Sequence, residues 1–109
     1  MSFQWEDFRK QVLEGARILA AETVKDAVDQ AGKDTEAFLR DTREKLERWT
    51  KALAKGDLDR DEFELLIAAR RTNMKMHALK AAGVTQNALE RFRTGLVSLL
   101  IESAFDLVP

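Results

Sequence analysis

The chain has 109 residues, of which 45% are hydrophobic and 34% are charged, and its formal net charge is −1. This balance excludes an intrinsically disordered chain, because it supplies enough apolar surface to offset chain entropy, and the length allows one domain at most. Cysteine is absent, which excludes disulfides and thiolate metal sites.

The composition also predicts the fold class and the location. Ala, Leu, Glu, Lys and Arg dominate and proline occurs once, so we expect an all-α fold over a single helical domain, residues 1–109. The first residues lack the basic-then-apolar order of a signal peptide, and no stretch approaches the roughly 18 apolar residues that span a bilayer. Together with the absence of cysteine, this predicts a cytoplasmic protein without a transmembrane segment.

Apolar or small side chains recur at a helical period through the first half of the chain. They lie at Trp5, Phe8, Val12, Ala16, Ala20, Val24, Val28, Ala31, Thr35, Phe38, Thr42, Leu46, Trp49 and Leu53. Their mean step of about 3.7 residues is that of an α-helix. The pattern therefore predicts a long N-terminal helix over residues 3–54.

Gly32 leaves two interpretations of this run open. The apolar pattern keeps its phase through Gly32 and no capping box follows it, which favours one continuous helix. Alternatively, residues 31–34 form a tight turn in which Gly32 ends one helix and Asp34 caps the next. The second interpretation would allow a monomeric four-helix bundle.

Two further helices are predicted from their end signals. Gly56 stops the first run, and Asp59 with Glu62 has the spacing of a capping box, so a helix is expected over residues 60–82. Gly83 ends it, and Thr85 caps a third helix over residues 86–107. The short connection at Gly83 predicts that these two helices form an antiparallel hairpin.

The length of the first predicted helix indicates self-association. A helix over residues 3–54 would extend about 78 Å, and a hairpin of about 35 Å covers only half of it. Monomers rarely expose the apolar stripe that remains, so we expect a homodimer in which a second chain completes the bundle. The candidate interface residues are Trp5, Phe8, Val12, Phe38 and Trp49.

The segment from Gly56 to Phe63 resembles the second half of an EF-hand calcium loop. It has the mid-loop glycine, an apolar residue two positions on and a glutamate six positions on. The first half of such a loop must supply acidic or amide oxygens, but those positions hold Lys51, Leu53 and Lys55. We therefore interpret the segment as a corner between two helices and predict no metal.

The sequence offers no recognisable catalytic site. His77 is the single histidine, and without cysteine or a glutamate three residues before it, it cannot build a transition-metal site alone. No glycine-rich phosphate loop, nucleophile elbow or metalloprotease signature occurs. We predict a protein that is not an enzyme and needs no cofactor.

One region carries a clear charge bias, which we call the basic zone. Residues 70–95 hold six basic side chains against the single acid Glu90, and they are Arg70, Arg71, Lys75, Lys80, Arg91 and Arg93. Such a zone can meet nucleic-acid phosphates, the acidic stretch at residues 57–64 of a neighbouring chain, or only solvent. The isoelectric point near 5.9 argues against nucleic acid.

These observations rank three functional hypotheses. The first is a non-enzymatic helical interaction or structural module that acts as a homodimer and offers the basic zone or an inter-helix groove to an unidentified protein. The alternative is a bundle that binds a small ligand or lipid in a pocket between its helices. Its lining would be Met74, Met76, Phe92, Leu96 and Trp49. Nucleic-acid association through residues 70–93 ranks lowest.

Overall fold

A computed structural model describes residues 3–108, and their regular secondary structure is entirely helical, which confirms the predicted all-α class. The α-helices are α1 (Trp5–Thr23), α2 (Val28–Lys55), α3 (Arg60–Ala69), α4 (His77–Ala81) and α5 (Gln86–Leu107). Within the described range two 3₁₀ turns lie between these helices, one at Lys25–Ala27 and one at Arg70–Asn73.

The long helix predicted over residues 3–54 is wrong, because the chain reverses direction between α1 and α2. Val24 (φ −128°, ψ 19°) and Ala27 (φ −121°, ψ 32°) leave the helical region on either side of the 3₁₀ turn. Both side chains are buried in the core. The spacing of apolar residues therefore continues through the turn although the helix does not. A preserved phase was therefore insufficient evidence for a straight helix.

Contacts between side chains establish that α1 and α2 are antiparallel. Arg9 pairs with Glu36, and Arg17 lies 3.8 Å from the Asp29 carboxylate. The hydrogen bond from Arg9 to Glu36, together with the carboxylate charge, raises the pKa of the Arg9 guanidinium. As the residue number increases along α1, the number of the contacting residue on α2 decreases, as in a helical hairpin.

The interpretation of Gly32 as an interior helical residue is confirmed, since α2 runs through it to Lys55. Gly56 ends α2 with φ 81°, a left-handed conformation that glycine adopts without strain. The predicted capping box follows: Asp59 Oδ1 accepts from the Glu62 amide at 2.8 Å, and Glu62 Oε1 accepts from the Asp59 amide at 3.0 Å.

The second predicted helix, residues 60–82, is also broken. After α3 and the 3₁₀ turn, residues 74–76 are non-helical, and α4 starts at His77. Met74 and Met76 are buried while Lys75 between them is exposed, and Arg93 Nε donates to the Met74 carbonyl oxygen at 2.9 Å. Burial of both methionines and the hydrogen bond from Arg93 offset the loss of the helical hydrogen bonds that residues 74–76 do not make.

Helix α5 has the predicted bounds, and Thr85 caps it by accepting from the Ala88 amide at 3.2 Å. It packs most extensively against α1, so the predicted hairpin between the last two long helices is not the main pairing. Gln11 Nε2 donates to Asp106 Oδ2 at 3.1 Å near one end of this antiparallel contact.

The predicted interface residues lie mainly inside the chain's own core. Trp5, Phe8, Val12 and Phe38 are at most 7% exposed, and Trp49 is half-buried beneath Arg70. The described part of the chain measures only 42 × 22 × 21 Å. Because the packing of α1 against α2 and α5 shields the stripe, helix length no longer indicates self-association.

Candidate partner-binding cleft

Helix α2 and the segment from Arg70 to His77 enclose a cleft of about 420 Å³, which we call the α2/70–77 cleft. Phe38 and Thr42 lie on the α2 side, and both are buried. The two residues are one turn apart, so they share the helix face that packs inward. Arg40 and Lys45, which also line the cleft, are exposed.

The opposite wall owes its shape to the buried methionines. Met74 and Met76 are buried, whereas Lys75 between them is exposed on the solvent side, where it lines the cleft. Met76 has φ 56°, and it is the non-glycine residue with positive φ among residues 3–108. A non-glycine residue in this backbone conformation is strained, and the conformation is retained only when the surroundings fix it.

Asp34 on α2 fixes this wall. Its carboxylate accepts hydrogen bonds from the Ala78 amide at 2.9 Å and from the Leu79 amide at 2.8 Å. These amides lie at the start of α4 and have no hydrogen-bond partner within the helix. The helix dipole also favours a negative charge at this position. Asp34 is therefore a positioning residue that couples α2 to the far wall of the cleft.

The charged lining of the cleft is predominantly basic. Four cations, from Arg40, Lys45, Arg70 and Lys75, face two carboxylates, from Asp34 and Asp41. The Asp34 carboxylate is occupied by the α4 amides, and Asp41 lies 3.7 Å from Arg40. A concave surface with this excess of cations favours anions.

Three of these cations have no anionic partner within the described range. No carboxylate lies within ion-pair distance of Lys45, Arg70 or Lys75 in residues 3–108, and the Arg70 Nε is buried without a hydrogen-bond partner there. The Arg70 guanidinium lies 5.8 Å from the centre of the Trp49 ring. Stacking of this kind orients a guanidinium without using its hydrogen-bond donors.

The structure divides the predicted basic zone into separate groups. Arg71 and Arg93 both pair with Glu90, and Arg93 is only 14% exposed, so these two arginines hold the fold together. Arg70 and Lys75 line the cleft, whereas Lys80 and Arg91 are exposed outside its lining. The six residues therefore do not form one continuous surface.

The contribution of α2 to this cleft is not apparent from the sequence. Arg40 and Lys45 lie far from the basic zone in the chain and were not distinguished from the other charged residues of a polar helix face. Asp34 was considered only as a possible cap after a turn at Gly32, but it caps α4 instead. No local pattern marks any of the three.

The predicted ligand pocket is mostly core. Met74, Phe92 and Leu96 are fully buried, and Trp49 is packed against the same hydrophobic cluster. Met76 alone of the five lines the α2/70–77 cleft. His77 stands at the cleft, exposed, and within residues 3–108 no three His, Asp or Glu side chains gather as a metal-binding group.

Comparison of the chain with protein-family models, curated proteins and solved structures finds no match. Among the helices that the structure describes, none combines the length and the apolar character needed to cross a bilayer.

Proposed function

We propose that this protein is a non-enzymatic helical interaction module of the cytoplasm that binds an acidic segment of a protein partner in the α2/70–77 cleft. The observation that carries the proposal is the set of unpaired cations on facing walls, Lys45 on α2 with Arg70 and Lys75 opposite. Such an arrangement supports recognition of carboxylates, because complementary charge gives orientation and specificity.

A protein segment fits this surface better than a nucleic-acid backbone does. The unpaired cations converge on one concave site, whereas a duplex presents phosphates in long regular rows. Two of the six residues of the basic zone are also paired with Glu90, whose carboxylate cancels one of their two charges. Retardation of a DNA or RNA duplex at low salt, with no binding of an acidic peptide, would overturn this preference.

The test is the fluorescence anisotropy of a fluorescein-labelled hexaglutamate peptide titrated with the full chain. We expect binding that weakens with salt, because the cations are mostly exposed and therefore screened. The double variant Lys45→Gln with Lys75→Gln should weaken binding about tenfold, since each lost ion pair contributes up to about 1 kcal/mol.

The matched control is the double variant Lys10→Gln with Lys25→Gln, which changes the net charge equally. Both lysines are exposed and neither lines the cleft. This control should bind the peptide nearly as well as the unaltered chain. Equal weakening by the two double variants would mean that only net charge attracts the peptide, and the cleft proposal would be abandoned.

A second candidate uses the same cleft for a small anionic molecule. A volume of about 420 Å³ lies within the range of small-molecule sites, and buried Phe38 and Met76 supply apolar wall. Competition of the labelled peptide by a small dicarboxylate such as succinate, at concentrations well below those of added salt, would favour this candidate.

A further inference from the structure

Helix α3 is electrostatically polarised along its length. The stretch 57–64 at its start carries five exposed carboxylates, from Asp57, Asp59, Asp61, Glu62 and Glu64. The one cation there, Arg60, lies over the Phe105 ring at 4.7 Å, and within residues 3–108 none of the five acids is in an ion pair. The basic wall of the α2/70–77 cleft begins directly after the other end of α3.

An exposed apolar residue lies between these two charged ends. Leu65 is 72% exposed, which makes it the more exposed of the two large hydrophobic side chains found at the surface of residues 3–108, the other being Ile18. Its neighbours one turn away on the same face are Asp61 and Ala69, both exposed. The face therefore runs from acid through leucine and a small residue to the basic cleft.

We propose that a second copy of this chain docks on α3, antiparallel to it, and places its acidic stretch 57–64 in the α2/70–77 cleft. The inference rests on the proposed function, because it names the acidic segment that fills the same cleft. The ten residues of α3 separate the acidic and basic ends by about 15 Å. A two-fold axis at the middle of α3 brings each acidic end to the basic end of the other copy.

The symmetry explains why Leu65 is exposed at the centre of the helix. In a two-fold interface each residue near the axis meets its own equivalent, so Leu65 packs on Leu65 of the second copy and is removed from water. The exposed Ala69 allows the two helix backbones to approach. The contact is centred on a single leucine pair and its charges are screened by salt, so we expect a weak dimer that added salt weakens further.

Sedimentation velocity of the full chain, followed across a concentration series, tests the dimer. The variant Leu65→Asp places two like charges at the axis and should weaken self-association at least about tenfold. The matched control is Ile18→Asp, because Ile18 is 67% exposed on α1 and lies outside the interface. It should associate as the unaltered chain does, and circular dichroism should show both variants fully helical.

Complementary charge reversal tests the pairing itself. Asp57 and Lys75 lie eight and ten residues to either side of Leu65, so the two-fold axis places each near the other residue of the second copy. Asp57→Lys and Lys75→Glu each place like charges opposite one another in a homodimer, so each variant alone should be monomeric. Mixing the two restores opposite charges at both symmetry-related contacts, and a mixed dimer should form. A mixture that stays monomeric, while the unaltered chain dimerises, would overturn the antiparallel arrangement.

The proposed function and this inference fail in different ways. If the unaltered chain sediments as a monomer up to several hundred micromolar at low salt, the self-docking is wrong whatever the hexaglutamate peptide does. If Leu65→Asp is monomeric and binds the peptide more tightly than the unaltered chain, the acidic stretch competes for the cleft and both proposals are supported. If the chain dimerises but the dimer is unaffected by Leu65→Asp, another surface mediates association.

Discussion

A β-carbon added to Gly15 on α1 would lie 2.5 Å from Leu99 Cδ1 on α5, so this pair sets how closely the two helices approach. The relationship is repeated along the same contact, where a β-carbon at Gly95 would lie 2.5 Å from Leu19 Cδ1. Each helix thus inserts a leucine over a glycine of the other. The close contact compensates for the helix propensity that each glycine sacrifices, about 1 kcal/mol relative to alanine.

Replacing Gly15 with valine should lower the free energy of unfolding by about 2 kcal/mol, because the added methyl groups overlap with Leu99 and force the helices apart. Urea denaturation measures the change. In the double variant with Leu99→Ala, the two losses should be less than additive, since the smaller side chain makes room for valine. Strict additivity would show that the two residues are not coupled.

At Gly32, in contrast to Gly15, we expect a larger side chain to stabilise the protein. Gly32 lies inside α2, and apart from the neighbouring backbone of the helix itself a β-carbon there would have no atom of residues 3–108 within 4 Å. Gly32→Ala should therefore raise the free energy of unfolding by about 1 kcal/mol, because alanine is the better helix former and less free in the unfolded chain. A loss of stability in thermal or urea unfolding would mean that the helix does not run through this position.

Local signals in the sequence predicted several helix ends correctly. Gly56 has the left-handed conformation of a helix stop, Asp59 and Glu62 form their capping box, and Thr85 caps α5. Each of these features depends on hydrogen bonds within a few residues of the chain. Residue identity at fixed spacing is then enough to predict the conformation.

The two helix breaks and the cleft could not be predicted in this way. Val24 leaves the helix at a turn whose apolar side chains are themselves buried, so the turn does not disturb the hydrophobic period. Residues 74–76 are stabilised by Arg93 and the start of α4 by Asp34, both distant in sequence. The cleft combines α2 with a segment some 30 residues away, and only the fold brings them together.

Removing the Asp34 carboxylate should release α4 from α2. Asp34→Ala leaves two amides without their acceptors, and the Leu79 bond is buried, so we expect a loss of about 2–3 kcal/mol in the free energy of unfolding. Asp34→Asn keeps one acceptor oxygen and should lose about half as much. Amide hydrogen exchange should speed up first at Ala78 and Leu79, and a uniform increase across the chain would argue against a local capping role.

Glu90 should matter more to stability than its partly exposed position indicates. It pairs with both Arg71 and Arg93 and accepts from Gln86 Nε2 at 3.2 Å, while Arg93 in turn holds the Met74 carbonyl oxygen. Glu90→Gln leaves two guanidinium groups without their counter-charge, one of them largely buried. We expect a loss of about 1–2 kcal/mol, below that of a fully buried pair because solvent screens the site.

The control for this change is Glu44→Gln, since Glu44 is 89% exposed and lies 3.5 Å from Arg48 in a pair within α2. Such exposed pairs contribute a few tenths of a kcal/mol, so this variant should unfold at nearly the same urea concentration as the unaltered chain.

Because Glu90 also fixes the wall that carries Lys75, Glu90→Gln should weaken hexaglutamate binding as well as lower the free energy of unfolding. Unchanged peptide binding in a destabilised Glu90→Gln protein would show that the cleft does not depend on the ion pairs of Glu90 with Arg71 and Arg93.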